Sequence, residues 1–276
     1  MFELPELLTL ADQLNQTVLG KTVREGRLGN SPHKFVWYNR TPEEFTRLVK
    51  GKTVGESSVR GRWLFMPLEP GYLFVLGESG GKFLFHPAGE PVPAKYHLYI
   101  EFEDGSFLTA FTQMWGAMEL YEAGMEQERQ YIKDMRPSPV DPAFTFDYFS
   151  NLVDELKEGE KRSAKSLLTQ DQLIPGLGNS IAQDILFRAG LHPRHPLTDL
   201  DGPKKELLFQ AIISTVQTAA EEGGRYDETD LFGNPGGYIR IMDSHAAGQP
   251  CPSCGTTVEK IQYLGGACYF CPNCQS

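Results

Sequence analysis

Two C-x2-C turns near the end of the chain constrain it most. Cys251-Pro-Ser-Cys254 and Cys271-Pro-Asn-Cys274 are separated by sixteen residues. Each turn presents two thiolates, and two such turns complete the tetrahedral shell of a four-cysteine zinc site. A shell closed by Cys251, Cys254, Cys271 and Cys274 leaves no position for water. The expectation is one structural zinc per chain. The fifth thiol, Cys268, reads as a packed residue of a finger strand. All five cysteines lie within residues 251–274, so they do not form a disulfide framework. That pattern points to metal in a reducing compartment.

Charge narrows the partners. The chain of 276 residues carries 26 basic and 36 acidic side chains, a net charge of −10. This excludes a broad sequence-independent nucleic-acid footprint, so any such partner needs a local basic patch. No run of residues has the length of a membrane span, and the start MFELPELL lacks a basic n-region. A cytoplasmic monomer with no membrane partner is expected.

Hydrophobic periodicity gives the order of elements. Residues 1–19 read as a lead-in and an amphipathic helix with Leu7, Leu10, Ala11, Leu14 and Val18 on one face. Residues 22–121 are strand-like, with runs at 63–68, 72–76, 82–86 and 97–102 broken by Pro-Gly, Gly-Gly and Asp-Gly turns. A helix over 41–50 interrupts them, with Thr41 as cap and Glu44 three residues on. Many short strands with a helix packed on them predict a β-sandwich. Three prolines in 136–142 mark a boundary, and 143–222 read as helices. The Gly- and Asp-rich stretch 223–237 reads as a mobile loop. The class is α+β, with a sandwich over 1–135, a helical domain over 136–240 and a zinc finger over 241–276.

One turn inside the helical part has its own chemistry. Residues 173–193 read LIPGLGNSIAQDILFRAGLHP. Gly176 and Gly178 permit positive φ and close backbone approach. Asn179 is expected to cap the following helix, whose apolar residues Ile181, Ile185, Leu186 and Ala189 recur at helical spacing. Gly190 and Pro193 end it. A glycine turn opening a helix offers free N–H groups and a positive dipole end to a phosphate. On this stretch alone a plain inter-helix turn is the better reading.

Sandwich, glycine-turn helices, four-cysteine hairpin and the opening Met1-Phe2-Glu3-Leu4-Pro5-Glu6 together resemble the formamidopyrimidine-DNA glycosylase / endonuclease VIII family of base-excision repair enzymes. The resemblance covers essentially the whole chain, and residues 173–193 resemble its helix–two-turn–helix. It implies a bacterial, nucleoid-associated protein holding damaged or abasic duplex DNA between sandwich and helical domain. It further implies that Asn179 and the Gly178 turn meet a phosphate beside a flipped nucleotide, the cheapest flips being at damaged sites.

The same resemblance exposes departures. The family frees a proline amine by removing Met; that amine attacks C1′ of the sugar, and the adjacent glutamate moves protons. Glu3 is present, but Phe2 stands where the proline belongs. A bulky second residue prevents removal of the initiator Met, and an amide nitrogen at Phe2 is no nucleophile. The hairpin lysine aligns with Arg62, which stays protonated. The methionine of a Leu-Gly-Met-Ser-Gly turn aligns with Glu78, a poor wedge for a base stack. The Arg-Phe-Gly wedge aligns with Met114-Trp115-Gly116, across a one-residue gap. The finger arginine falls at Gly266.

These residues leave alternatives open. Glu3 is a retained catalytic carboxylate or a helix-start acid that suits the dipole. Lys161, Arg162 and Lys165 form a basic patch for DNA or a solvated helix face. Met114 and Trp115 are a replacement wedge or part of the sandwich core. His86 and His97 read as structural. Three functions fit: a DNA glycosylase without the proline imine and with impaired lyase chemistry, a non-catalytic binder of damaged DNA, or a degenerate paralogue with a protein or other ligand.

Overall fold

The computed structural model describes residues 1–31, 34–157 and 161–276. They form two compact units, Met1–Met135 with Ala219–Tyr238, and Arg136–Thr218 with Ile239–Ser276. The stretch 219–238 therefore belongs with the N-terminal unit, although the sequence division put it among the helices.

In the first unit, α1 (Leu4–Thr17) buries Leu7, Leu10, Ala11 and Leu14, the face set by helical periodicity. Ten strands follow in chain order: β1 (Val23–Leu28), β2 (Val36–Trp37), β3 (Thr53–Val54), β4 (Ser58–Arg60), β5 (Trp63–Glu69), β6 (Tyr72–Gly77), β7 (Gly81–His86), β8 (Leu98–Phe102), β9 (Phe107–Thr112) and β10 (Gly116–Glu122). They build a four-stranded sheet in the order β1-β8-β9-β7 and a six-stranded sheet in the order β2-β10-β6-β5-β3, with β4 on β5. Leu98, Ile100 and Leu108 of one sheet share a core with Leu64, Phe74 and Met118 of the other. This is the expected sandwich. The helix α2 (Pro42–Val49) adds Phe45 and Val49 to the same core, and Thr41 with Glu44 closes its capping box. A short helix, α3 (Gln130–Lys133), ends the continuous part of the unit. Both sandwich histidines are structural: His97 is buried and accepts from Thr112 N–H at 2.9 Å, and His86 stacks on Phe107.

The second unit holds α4 (Phe146–Lys157), α5 (Ala164–Thr169), α6 (Asn179–Arg188) and most of α7 (Gly202–Glu221), then the hairpin β11 (Glu259–Tyr263) and β12 (Gly266–Phe270). Phe144, Phe149 and Phe209 meet ring to ring inside it. Among the described residues no helix is long and apolar enough to cross a membrane.

Candidate nucleic-acid interface and metal centre

The N-terminal site is built around a buried arginine. Phe2 is 1% exposed, packs in the sandwich core and donates its N–H to Ser79 O at 2.9 Å. Glu3, 4% exposed, sits at the cap position of α1, and the Glu6 carboxylate accepts its N–H at 2.8 Å. Arg225 lies over both. Its Nη2 and Nε donate to Glu6 at 2.8 and 3.0 Å, and Nη2 also donates to Met1 O at 2.8 Å. Its Nη1 is 3.7 Å from Glu3 Oε1. The Met1 amine pairs with Glu228 at 2.7 Å. Two cations thus meet three carboxylates, which is what keeps such charges tolerable away from water. Burial alone would raise the Glu6 carboxyl, but the Arg225 charge and hydrogen bonds outweigh it and hold the group below the usual carboxylate range. Those same glutamates raise Arg225 despite its burial.

Sequence reasoning missed Arg225 and Glu228. Arg225 is 219 residues from Glu6, and no spacing rule reaches that far. The stretch 223–237 was expected to be mobile; instead it is fastened. Asp230 Oδ1 accepts from Phe232 and Asn234 N–H at 2.9 and 2.8 Å, and Gln13 donates to Asp230 Oδ2 at 3.0 Å. Leu231 N–H returns to Gln13 at 2.8 Å, Phe85 N–H donates to Leu231 O at 2.8 Å, and the Leu231 side chain is in the core. The signal available in sequence was Asp230 ahead of Phe-Gly-Asn, an Asx-type turn that ties its own backbone.

Two departures face one another. Arg62 Nη1 lies 3.4 Å from Glu78 Oε2, and Glu78, at φ +48°, donates its N–H to Arg62 O at 3.3 Å. The arginine in the lysine position is thus paired with the carboxylate in the methionine position. Arg62 also reaches Met1 Sδ at 3.4 Å. A cavity of about 200 Å³ opens beside this group, lined by Met1, Gly80, Lys82, Gln113, Met114 and Glu228 among others. Gly80 is required there, because a Cβ would come within 2.8 Å of Met1 Cα. Met114 and Trp115 are not core residues: they are 62% and 39% exposed. Trp115 is nevertheless held, stacked on Trp37 at 5.4 Å and against Phe35 at 4.5 Å. Met114 is the side chain that projects.

In the second unit the glycine turn opens α6 as expected, with one correction. The cap residue is Gly178, in extended backbone at φ −131°, and Asn179 is the first helical residue without a capping role. Only Gly176 of the two glycines has positive φ, at +97°. Relieved of capping, Asn179 is exposed, and its side-chain amide lies 3.7 Å from where a Cβ at Gly266 would stand. The two positions aligned with phosphate contacts are neighbours in space. Lys165 is a second correction. It is 1% exposed and its Nζ donates to Tyr263 O at 2.6 Å, so it anchors the finger hairpin and does not join a surface patch. Lys161 is exposed, and Arg162 pairs with the exposed Asp171 at 3.1 Å.

The helix α6 also carries the finger. Asp184, fully buried, accepts the N–H groups of Ile241 and Met242 at 2.8–3.0 Å, and Gln183 accepts from Tyr269 N–H at 2.7 Å. The hairpin turns at Leu264 and Gly265, both with positive φ. The four sulfurs of Cys251, Cys254, Cys271 and Cys274 lie within 4.8 Å of one another, close enough to hold a metal ion. Hydrogen bonding with the Cys254 sulfur pushes the Cys274 thiol up to about 12, the response of crowded sulfurs to a second negative charge. Cys268 lies apart from this set, packed at 1% exposure in β12.

Sandwich, glycine-turn helix and four-sulfur hairpin define a glycosylase-type fold with a four-cysteine finger. The formamidopyrimidine-DNA glycosylase N-terminal domain model matches residues 1–114, and the formamidopyrimidine-DNA glycosylase H2TH domain model matches residues 135–229. The formamidopyrimidine-DNA glycosylase of Bacillus licheniformis is 31% identical, over 100% of this chain and 99% of the relative. That of Geobacillus kaustophilus is 30% identical over 100% of both. Lactococcus lactis Fpg bound to N7-benzyl-Fapy-dG DNA superposes with a TM-score of 0.86 at 25% identity, over 99% of each chain. Thermus thermophilus Fpg gives 0.81 at 29% identity, over 99% of this chain and 98% of that one. The chain belongs to the formamidopyrimidine-DNA glycosylase / endonuclease VIII family. Nothing in these matches favours a chain that has lost its catalytic function, so the degenerate-paralogue reading is without support.

Proposed function

We propose that this chain binds damaged or abasic duplex DNA and releases a damaged base by hydrolysis, without a proline imine. The observation that carries this is the state of the residues around Glu3. Phe2 is buried with its N–H given to Ser79, and the Met1 amine is ion-paired with Glu228 at 2.7 Å. An ammonium in an ion pair has no lone pair for C1′. Glu3 remains beside Arg225 as the carboxylate that takes a proton from water. The water oxygen bonds to C1′, the N-glycosidic bond breaks, and its electrons leave with the base, giving an abasic site in an intact strand.

Asn179, the Gly178 backbone, Arg62, Lys161 and Arg162 meet phosphates in this reading. Met114 is the residue that enters the base stack, since Trp115 is already stacked. Both the relatives' activity and the DNA-bound neighbour support a DNA partner. The metal is zinc, held by Cys251, Cys254, Cys271 and Cys274. The sulfur pairs at 3.4 and 3.9 Å suit a tetrahedron with Zn–S of about 2.3 Å. It cross-links the finger and takes no part in base release.

Borohydride reduction with abasic duplex separates this chemistry from the imine route. The expected outcome is little covalent trapping, base release that disappears in Glu3→Gln, and strand cleavage only after alkali. Efficient trapping by the wild-type protein would overturn the reading and make the Met1 amine or a lysine the nucleophile.

A further inference from the structure

The cavity of about 200 Å³ in the first unit brings two amines and two carboxylates to one opening: Met1 and Lys82, Asp227 and Glu228. Gly80 leaves no room for a Cβ beside Met1 Cα, and Gln113 N–H donates to Gly80 O at 2.8 Å. Those contacts hold the start of β7 against the N-terminus. Lys82 follows two residues later, exposed in β7. The Met1 amine is committed to Glu228 at 2.7 Å, and Glu228 also takes Arg225 at 3.5 Å. Lys82 has neither a hydrogen bond nor an ion pair among the described residues. Of the two cations at this opening, it is the one available to a ligand.

The hydrolytic reading leaves a chemical need unmet. Glu3 takes a proton from water, but the base departs with the electrons of the C–N bond and stays negative until it is protonated. A fixed cation aimed at that charge lowers the barrier. The cavity has room for about seven waters at roughly 30 Å³ each, which suits one heterocyclic base. It opens beside Met1, whose carbonyl shares Arg225 with Glu3. We infer that Lys82 is a second catalytic residue: its ammonium hydrogen-bonds the departing base and gives it a proton as the C–N bond breaks. The water oxygen stays on C1′. Lys82 regains a proton from solvent and Glu3 releases the one it took, so one water is consumed and one neutral base leaves. The inference rests on the hydrolytic reading, in which the leaving group has no other named proton donor.

The test is single-turnover base release from a duplex carrying one formamidopyrimidine, a lesion of the kind the family is named for. Lys82→Ala is expected to slow release about a hundredfold or more, the usual share of a proton donor. Lys82→Arg should recover part of the rate, and added methylamine should restore release by Lys82→Ala in a saturable way. Affinity for a duplex with a tetrahydrofuran abasic analogue should stay within about twofold, because that duplex has no base to contact. Lys82 is exposed, so these variants keep the fold. A wild-type rate in Lys82→Ala would overturn this inference alone. Analogue affinity that falls in step with the rate would make Lys82 a phosphate contact, and a slow variant that neither arginine nor methylamine rescues would make its role structural; each overturns the inference. Wild-type protein that releases no base sinks the hydrolytic reading and this inference with it. Borohydride trapping that vanishes in Lys82→Ala makes the lysine a nucleophile and overturns both.

Discussion

Gly266 shows how a single missing side chain sets what a site can hold. The atoms nearest its ideal Cβ are those of the Asn179 amide, at 3.7 to 3.8 Å, which is ordinary contact, and its φ is outside the left-handed region. An arginine therefore fits there without strain, next to the exposed amide at the start of α6. Gly266→Arg is expected to tighten binding of abasic duplex and to steepen the dependence of log affinity on log salt by about one unit, as one more phosphate is neutralised. Affinity measured at several salt concentrations checks it; an unchanged slope would remove Asn179 and its neighbour from the phosphate-binding surface. Arg225 illustrates the opposite case, a side chain whose partners are all internal. Its four acceptors include Glu6, Met1 O and Glu228, so its role is to position the N-terminal residues, not to meet a ligand.

At the level of elements, α6 does two jobs along its length. Its first residue, Asn179, faces outward, while Gln183 and Asp184 one turn later hold the finger and the segment leading into it. The coupling comes from geometry: on a helix, residues separated by three to four positions return to one side. Asp184→Ala would strand the Ile241 and Met242 N–H groups in a buried site, at a cost on the order of 1–3 kcal/mol for each unsatisfied donor. We expect a lowered unfolding midpoint and faster loss of metal to a chelator, with zinc content before chelation close to one per chain. Metal release as slow as in the wild type would show that the finger is held by its own hairpin and sulfurs alone.

For the whole molecule, acid is the informative perturbation. The Glu6 carboxyl lies below its ordinary value of 4.5 in the folded chain, where burial opposes and Arg225 favours ionisation, and the Asp104 carboxyl falls to about 2 through its hydrogen bond from Lys21. A depressed folded pKa means the unfolded chain takes up the proton first. The stabilisation is therefore complete above about pH 4.5 and is lost as pH falls toward the folded values. Denaturant unfolding should show stability declining below pH 4.5, and Glu6→Gln should flatten that decline while lowering stability near neutrality. A variant with the wild-type slope would mean that other carboxylates carry the acid response.

Local pattern was enough for the main strands, the capped helix α2 and the cysteine cluster, though it set the α6 cap one residue late. The continuous apolar runs of 63–68 and 72–76 gave strands, Thr41 with Glu44 gave a capped helix, and the two C-x2-C turns gave a four-sulfur cluster. Phe2 in place of a proline was equally visible, because identity at one position needs no fold to be read. Lys165 could not be placed: on paper it continues the Lys161–Arg162 patch, and only packing against Tyr263 turns it into a buried anchor. The pairing of Arg62 with Glu78 and of Arg225 with Glu6 was likewise out of reach, since each joins residues that are distant along the chain and carry no periodic signal. Sequence determines which chemical groups exist and which local elements they favour. Tertiary structure decides which charges meet, because in a low-dielectric interior a charge persists only where the fold brings it an opposite one.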